Sequence, residues 1–205
     1  MEEKEVLKKS LNIRIPPEIL SNKELSTNEK LVLSLDYTYS LKKGYNILTN
    51  VDIGKLFGLH YNIVGSCRKS LIETGYLVRD PEDKRLYILT DKFKSIEITL
   101  INGKRDKRTI ILPFEIYNHP DLQTGAKLLW GEYNSMSKTE KGYFSKRDTT
   151  SKRMTVSVGS ISNWTKELKY YDLIEYKLNS GYYTKQKIVR AKDLTKKVGD
   201  TNEDV

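Results

Sequence analysis

The sequence predicts an α+β fold built from two similar domains, each with three helices and a small β-hairpin. Two observations support this prediction. Between residues 49 and 77, apolar residues recur at helical spacing in two short segments separated by a glycine, and a hairpin-like stretch follows. The same apolar pattern returns 97 residues later and keeps its phase over about sixty residues. Each copy is long enough to hold its own core, and two copies are too few for a solenoid.

The first copy shows the pattern most clearly. Its two apolar faces comprise Val51, Ile53, Leu56 and Phe57, then Leu59, Val64, Cys67 and Leu71. Gly58 separates them, so we predict helices over 50–57 and 61–74, with Gly75 ending the second. A hairpin is predicted over 76–88, because the turn-forming Asp80-Pro81-Glu82-Asp83 divides two short apolar stretches.

The repeat is visible without any gap. A shift of 97 residues lays IPPEI (15–19) on LPFEI (112–116). It also pairs Leu25 with Leu122, Thr27 with Thr124, Lys30 with Lys127, Leu31 with Leu128, Phe57 with Met154, Val64 with Ile161, Cys67 with Trp164, Leu71 with Leu168 and Leu77 with Ile174. Because Cys67 becomes the much larger Trp164, the two cores are expected to pack differently, with both tryptophans, Trp130 and Trp164, in packing roles.

The other elements follow in order. A short strand is predicted over 12–15, a helical turn at Pro17, and a long helix between the capping box Ser26–Glu29 and Gly44. In the second copy we predict helices over 124–137, 148–154 and 158–171, and a hairpin over 174–189 that turns at Asn179-Ser180-Gly181. Ile96, Ile98 and Leu100 alternate with polar residues before Asn102-Gly103, which predicts a connecting hairpin leading into Thr109–Leu112.

These elements set the expected boundaries. The first domain spans 11–92, the connecting hairpin 93–108 and the second domain 109–192, with a disordered tail over 193–205. Residues 1–10 are charged and expected to fray.

A helix, a tight turn, a second helix and a hairpin in this order resemble a winged helix-turn-helix domain, whose second helix enters the DNA major groove. Two copies in one small basic chain are similar to the TraN-type "internal dimer" accessory and repressor proteins of Gram-positive conjugative plasmids. The resemblance implies binding of double-stranded DNA near a transfer origin or an operon promoter. It also implies a monomer that acts as an internal dimer.

Composition limits the other possibilities. The net charge is +9, a weak indication of a nucleic-acid partner. No apolar run is long enough for a membrane span and the first residues lack a signal peptide, so we expect a cytoplasmic protein. His60 and His119 fall in different copies, no Cys/His spacing fits zinc, and no glycine-rich phosphate loop is present. We therefore expect neither an enzyme nor a bound cofactor or metal, and Cys67 is expected to be a small buried hydrophobe.

Candidate DNA contacts come from three places in each copy. If Val64, Cys67 and Leu71 face inward, Asn62, Ser66 and Lys69 share another face of the helix, and amides there can pair with adenine. Cations around the preceding helix and on the hairpin suit phosphates, and they are denser in the second copy. The candidates are His60, Tyr61, Asn62, Ser66, Lys69, Arg79, Lys84 and Arg85, then Lys146, Arg147, Lys152, Arg153, Ser157, Gly159, Ser160, Asn163, Lys166 and Lys185.

Other candidates and other functions stay open. Lys177, Lys187, Tyr182 and Tyr183 on the second hairpin and the basic run 104–108 are further possible backbone contacts. Each charge taken singly is also explained as a solvated side chain, and their clustering is what favours DNA. We expect a transcriptional repressor or a transfer accessory factor. The alternatives are a plasmid or phage replication initiator, and a protein-interaction module that binds no DNA.

Overall fold

The computed structural model describes residues 11–95, 100–101, 104–105, 107–137, 143, 146–181, 184–192 and 194, with side chains for these residues except 100–105, 137 and 177–188. The predictions for residues 1–10 and for most of the tail 193–205 lie outside the described residues. Below, the first half is 11–95 and the second half 107–194, and two positions 97 residues apart are called equivalent.

The α+β class is confirmed. The described part of the chain forms eight α-helices and four two-stranded antiparallel sheets, an architecture compatible with winged helices. The first half contains β1 (Ile13–Ile15), α1 (Pro17–Leu20), α2 (Thr27–Lys43), α3 (Asn50–Phe57), α4 (Tyr61–Glu73), β2 (Leu77–Arg79), β3 (Tyr87–Leu89) and a 3-10 turn (Asp91–Ser95). Next come β4 (Leu100–Ile101), β5 (Lys104–Arg105), β6 (Ile110–Leu112), α5 (Phe114–Tyr117), α6 (Thr124–Ser137), α7 (Arg147–Met154), α8 (Val158–Tyr170), β7 (Ile174–Gly181) and β8 (Thr184–Ala191).

Local signals account for the helix bounds. Ser26 and Glu29 form the predicted capping box at the start of α2, and Thr49 and Asp52 form another at the start of α3. The turn from α3 into α4 requires Gly54, because a Cβ there would lie 2.6 Å from the backbone oxygen of Leu59. Val51 differs from its prediction: its side chain is 47% exposed and does not belong to the core.

The backbone repeats even where the residue type does not. Gly58 ends α3 with a left-handed φ of 66°, and its equivalent, Thr155, ends α7 with φ 55°. Gly75 and its equivalent, Asp172, likewise have φ values of 77° and 56°. A β-branched residue such as Thr155 rarely adopts this conformation, which costs about 1–2 kcal/mol. The Thr155 hydroxyl accepts a hydrogen bond from Lys30 Nζ at 2.5 Å, which helps offset this cost.

Two hairpins differ from their predictions. Asn179-Ser180-Gly181 does not form the turn, because β7 continues through it and Gly181 pairs with Thr184. The connecting hairpin does flank Asn102-Gly103, but its second strand is Lys104–Arg105 instead of Thr109–Leu112. The strand Ile110–Leu112 pairs with β1 instead, where its alternate side chains are fully buried.

The pairing of β1 with β6 relates the two halves to one another. Arg14 lies opposite Ile111, and these two positions are equivalent. Ile13 pairs with Leu112 and Ile15 pairs with Ile110, so exchanging the halves leaves the register unchanged.

Side-chain contacts between the halves also come in equivalent pairs. The Ser21 hydroxyl donates to the backbone oxygen of Arg153 at 2.9 Å, and the Asn118 side chain donates to that of Leu56 at 3.0 Å. Lys30 and Lys127 make a second such pair, with the backbone oxygens of Met154 and Phe57. The contacts therefore join the first half to α7 and the second half to α3.

The expected difference in core packing is confirmed. Trp164, which is equivalent to Cys67, lies over Gly125, where a Cβ atom would come within 2.0 Å of the indole ring. Gly125 is equivalent to Asn28, so the larger aromatic residue is matched by a smaller residue opposite it. In the first half, Asn28 and Cys67 instead line a shallow groove. Cys67 is buried and burial raises the pKa of its thiol to about 11, in keeping with a packing role.

Among the described residues, no helix has the length and apolar character needed to cross a bilayer.

Candidate nucleic-acid interface

The exposed face of α4 carries the predicted residues of the first half. Val64, Cys67 and Leu71 are buried, as their spacing predicted. Asn62, Ser66 and Lys69 are solvent-exposed, together with His60 and Tyr61 at the start of the helix. The stripe is predominantly polar and carries no acidic residue until Glu73, which lies 3.8 Å from Lys69 Nζ.

His60 and Tyr61 form a small unit at the N-terminus of α4. His60 caps the helix, since its Nδ1 accepts a hydrogen bond from the Asn62 amide at 3.3 Å. Its ring lies 4.4 Å from the Tyr61 ring, centroid to centroid, and Tyr61 is 50% exposed. Capping therefore uses one nitrogen of His60, whereas the Tyr61 side chain remains accessible.

The face of α8 repeats this arrangement in the second half. Ile161, Trp164 and Leu168 are buried, while Gly159, Asn163 and Lys166 are exposed. The predicted pair Ser157 and Ser160 is engaged locally, because Ser157 caps the helix by accepting from the Ser160 amide at 3.0 Å. Their hydroxyls also lie 2.8 Å apart.

The cations of α7 divide into two groups. Lys146, Arg147 and Lys152 are exposed. Arg153 is only 1% exposed, so its assignment as a DNA contact was wrong. Its guanidinium forms an ion pair with the buried Glu132 and donates to the backbone oxygen of Arg108. The repeat contained this signal, because Arg153 is equivalent to the core residue Leu56.

A second cation from the sequence prediction, Arg108, also pairs with the buried Glu132. Its carboxylate is fully buried, accepts a hydrogen bond from the Tyr143 hydroxyl at 2.6 Å, and lies 3.5 Å from Arg108 Nη2. Arg108 also donates to the Ser135 hydroxyl at 3.3 Å. Arg108 therefore helps neutralise a buried acid, unlike its predicted role in a basic loop tip. Lys107 beside it is exposed.

The first hairpin presents three exposed cations, but they are not equally available. Arg85 binds Asp83 through two hydrogen-bonded nitrogens, with Nη2 2.7 Å from Oδ2. These hydrogen bonds lower the pKa of the Asp83 carboxyl to about 2. Arg79 lies 5.2 Å from the centre of the Tyr87 ring, and Lys84 projects from the turn between the strands.

The second hairpin is much longer than the first. Its strands have eight residues each, against three in β2 and β3. Both hairpins gain a third segment, since Asn46 bridges to Tyr87 and its equivalent, Tyr143, bridges to Val189. The side chains of Lys177, Lys185 and Lys187 lie outside the described residues, as do Tyr182 and Tyr183.

Comparison with protein-family models, curated proteins and solved structures found no significant match. Within the described ranges, no cluster of three His, Cys, Asp or Glu side chains is placed to hold a metal ion.

Proposed function

We propose that this chain binds double-stranded DNA sequence-specifically, as two tandem winged helix-turn-helix domains that act as an internal dimer. One observation carries the proposal. Equivalent helices, α4 and α8, each expose a polar face, and the contacts between the halves repeat in equivalent pairs. A homodimeric DNA-binding protein has the same organisation, with two copies of one reading surface related by a two-fold axis.

We expect α4 and α8 to enter two successive major grooves. Paired recognition helices of this type enter grooves about 34 Å, or ten base pairs, apart on one side of the duplex. Asn163 and Asn62 carry amides that can pair with adenine, although they do not occupy equivalent positions. Because the two helix faces differ, the DNA site is an imperfect repeat and not a palindrome.

The second half supplies more of the phosphate binding. Lys146, Arg147 and Lys152 lie at or within α7 and are opposed by Asp148 in its first turn, whereas the equivalent helix α3 has Lys55 alone with Asp52 in its first turn. At the start of α3, the capping box of Thr49 and Asp52 binds backbone amides. At the start of α7, Lys146 provides no side-chain cap. Uncapped backbone amides next to cations favour a phosphate oxygen.

The biological role we propose is that of a transcriptional repressor or a conjugative-transfer accessory factor. It rests on the internal-dimer arrangement, which is similar to that of the TraN-type proteins.

Selection from a random double-stranded DNA pool at about 150 mM salt, followed by footprinting of the enriched sequences, tests the proposal. We expect one protected region of about twenty base pairs that contains two related but different half-sites. Enrichment of several tandem sites would favour a replication initiator. No enrichment would contradict DNA reading and favour a protein-interaction module.

A further inference from the structure

A cavity of about 580 Å³ lies in the first half, between the end of α2, the start of α3 and the first hairpin. Its volume is typical of sites for small organic ligands. Leu11, Ile47 and Leu48 supply apolar surface, and Tyr39 and Tyr87 also line it. The lining can therefore hold an apolar or aromatic body.

The charge around this cavity is strongly positive. Five cations lie at its wall, namely Lys42, Lys43, Arg79, Lys84 and Arg85. The lining contains one carboxylate, Asp52, which caps α3 by accepting from the Thr49 amide and hydroxyl. Arg85 is already paired with Asp83, so four surface cations favour an anionic occupant.

A buried guanidinium lines the same cavity. Arg68 is only 2% exposed and lies 3.8 Å from the centre of the Tyr87 ring. Its Nη1 donates to the Leu48 backbone oxygen at 2.7 Å, and Nη2 lies 3.5 Å from the Asp36 carboxylate. Its Nε has no hydrogen-bond acceptor among the described residues, and its Nη2 makes only the ion pair with Asp36. Buried donors of this kind normally have partners, so an acidic group of a ligand would supply a hydrogen-bond acceptor that the protein does not provide.

The second half lacks the residues that make the cavity. The equivalents of Tyr39 and Arg68 are Met136 and Thr165, and Thr165 donates its hydroxyl to the Ile161 backbone oxygen. The equivalents of Lys42 and Lys43 are Thr139 and Glu140, which remove both charges. The repeated fold therefore does not by itself require these lining residues.

We propose that this cavity binds a small organic anion, with an aromatic or other flat apolar body against Tyr39 and Tyr87 and an acidic group toward Arg68 and the cations of the wall. Arg79 and Lys84 would then serve the ligand as well as the hairpin surface assigned to DNA. Occupancy is therefore expected to weaken DNA binding. This second step rests on the proposed function, whereas ligand binding itself does not.

Two fluorescent probes separate charge from hydrophobicity. Anilinonaphthalene sulfonate carries a sulfonate on an aromatic body, and N-phenylnaphthylamine has the same rings without the charge. Titrated into the full chain, the sulfonate should bind at one saturable site at least about tenfold more tightly than the neutral probe. Equal affinity of the two probes would overturn an anion site.

A matched pair of tryptophan variants locates the site. Ile47 lines the cavity and is 50% exposed, so Ile47→Trp should fill it without strain in the core and reduce sulfonate binding at least about tenfold. Leu41, 56% exposed in the last turn of α2, does not line the cavity, and Leu41→Trp should leave binding unchanged. Unchanged binding in Ile47→Trp would refute the location.

The effect of ligand binding on DNA affinity is measured with a DNA site found by selection. Saturating sulfonate probe should weaken DNA binding by the wild-type chain and leave binding by Ile47→Trp unchanged. DNA affinity unaffected by a bound probe would contradict the regulatory step. If the chain binds the probe but selects no DNA, that result would contradict the proposed function and still support the ligand site.

Discussion

Lys30 and Lys127 are equivalent residues that make the same contact in opposite directions. Lys30 Nζ donates to the backbone oxygen of Met154, and Lys127 Nζ donates to that of Phe57, both at 2.7 Å. Met154 and Phe57 are themselves equivalent and are the last residues of α7 and α3. The long helix α2 therefore binds the C-terminal end of α7, and α6 binds that of α3, where a cation is favourable.

Removing either lysine should loosen both halves. We expect Lys30→Met or Lys127→Met to lower the free energy of unfolding by about 1–3 kcal/mol, because a buried carbonyl loses its donor. Urea unfolding followed by circular dichroism measures the effect. Lys55→Met, at an exposed position on α3, is the control. A stability equal to that of the control would show that these two contacts do not hold the halves together.

The same lysines predict how stability changes with pH. Burial lowers the pKa of Lys30 and of Lys127 to about 8. Between that value and the unfolded value of 10.5, the unfolded chain binds more protons than the folded chain, so stability rises with pH. From about pH 7.5 to 9.5 the rise should be at most about 2 kcal/mol per lysine.

A difference measurement isolates this effect. Cys67 acts in the opposite direction, because its raised pKa makes the folded state lose stability above pH 9. The unfolding free energy of the wild type is therefore compared with that of the Lys30→Met/Lys127→Met variant, which keeps Cys67. A difference between the two proteins that stays constant over this pH range would refute the lowered lysine pKa values.

The sequence predicts the features that depend on neighbouring residues. The capping box of Ser26 and Glu29 and the turn at Gly58 act within a few residues, so the helix bounds agree with the structure to within one residue. The exposed stripes of α4 and α8 follow from helical spacing alone. The 97-residue repeat likewise predicts that Lys30 and Lys127 are equivalent, but not which carbonyls they reach.

Partners that are distant in the chain could not be predicted in this way. The residues of Ile110–Leu112 predict a strand but do not indicate which other strand it pairs with. The sequence therefore does not predict the pairing of this strand with β1. In the sequence, Arg153 and Arg108 are indistinguishable from surface cations. Only the structure shows that both pair with the buried Glu132, which is distant in the chain. The cavity beside Arg68 depends on four segments meeting in space, and no single segment indicates it.

Lys152 and Arg153 are adjacent cations with opposite expected roles. Lys152→Ala should weaken binding to all DNA sequences alike and reduce the slope of log affinity against log salt by about one, because one phosphate contact is lost. Stability should not change, since Lys152 is exposed. Fluorescence anisotropy over a salt series gives the slope, and an unaltered slope would remove Lys152 from the interface.

Arg153→Met should act on the fold instead. It removes the fully buried one of the two guanidinium groups that pair with Glu132 and leaves only the partly exposed Arg108, which should cost about 3–5 kcal/mol of unfolding free energy. The double variant Arg153→Met/Glu132→Gln should recover part of this loss, because the uncompensated charge is removed. A single variant as stable as the wild type would mean that this ion pair contributes nothing to the second half.

Asn163 is expected to read a base. Asn163→Ala should cost about 1–3 kcal/mol on the selected site and relax preference at one base pair, because a bidentate contact to adenine is lost. Repeating the selection with the variant measures this. Lys166→Ala, three residues along the same exposed face, is the comparison. A loss that is uniform across sequences would place Asn163 among the backbone contacts and falsify its assignment to base reading.

Gly125 and Trp164 should show strong coupling in stability. Because a Cβ at position 125 would lie 2.0 Å from the indole ring, Gly125→Ala should destabilise the chain by about 1–3 kcal/mol. In a Trp164→Leu background the same change should cost much less, since the smaller side chain leaves room for the methyl group. A double-mutant cycle by urea unfolding gives the interaction energy. If Gly125→Ala cost the same in both backgrounds, the glycine would not be what accommodates the tryptophan, and the two halves would differ in packing for another reason.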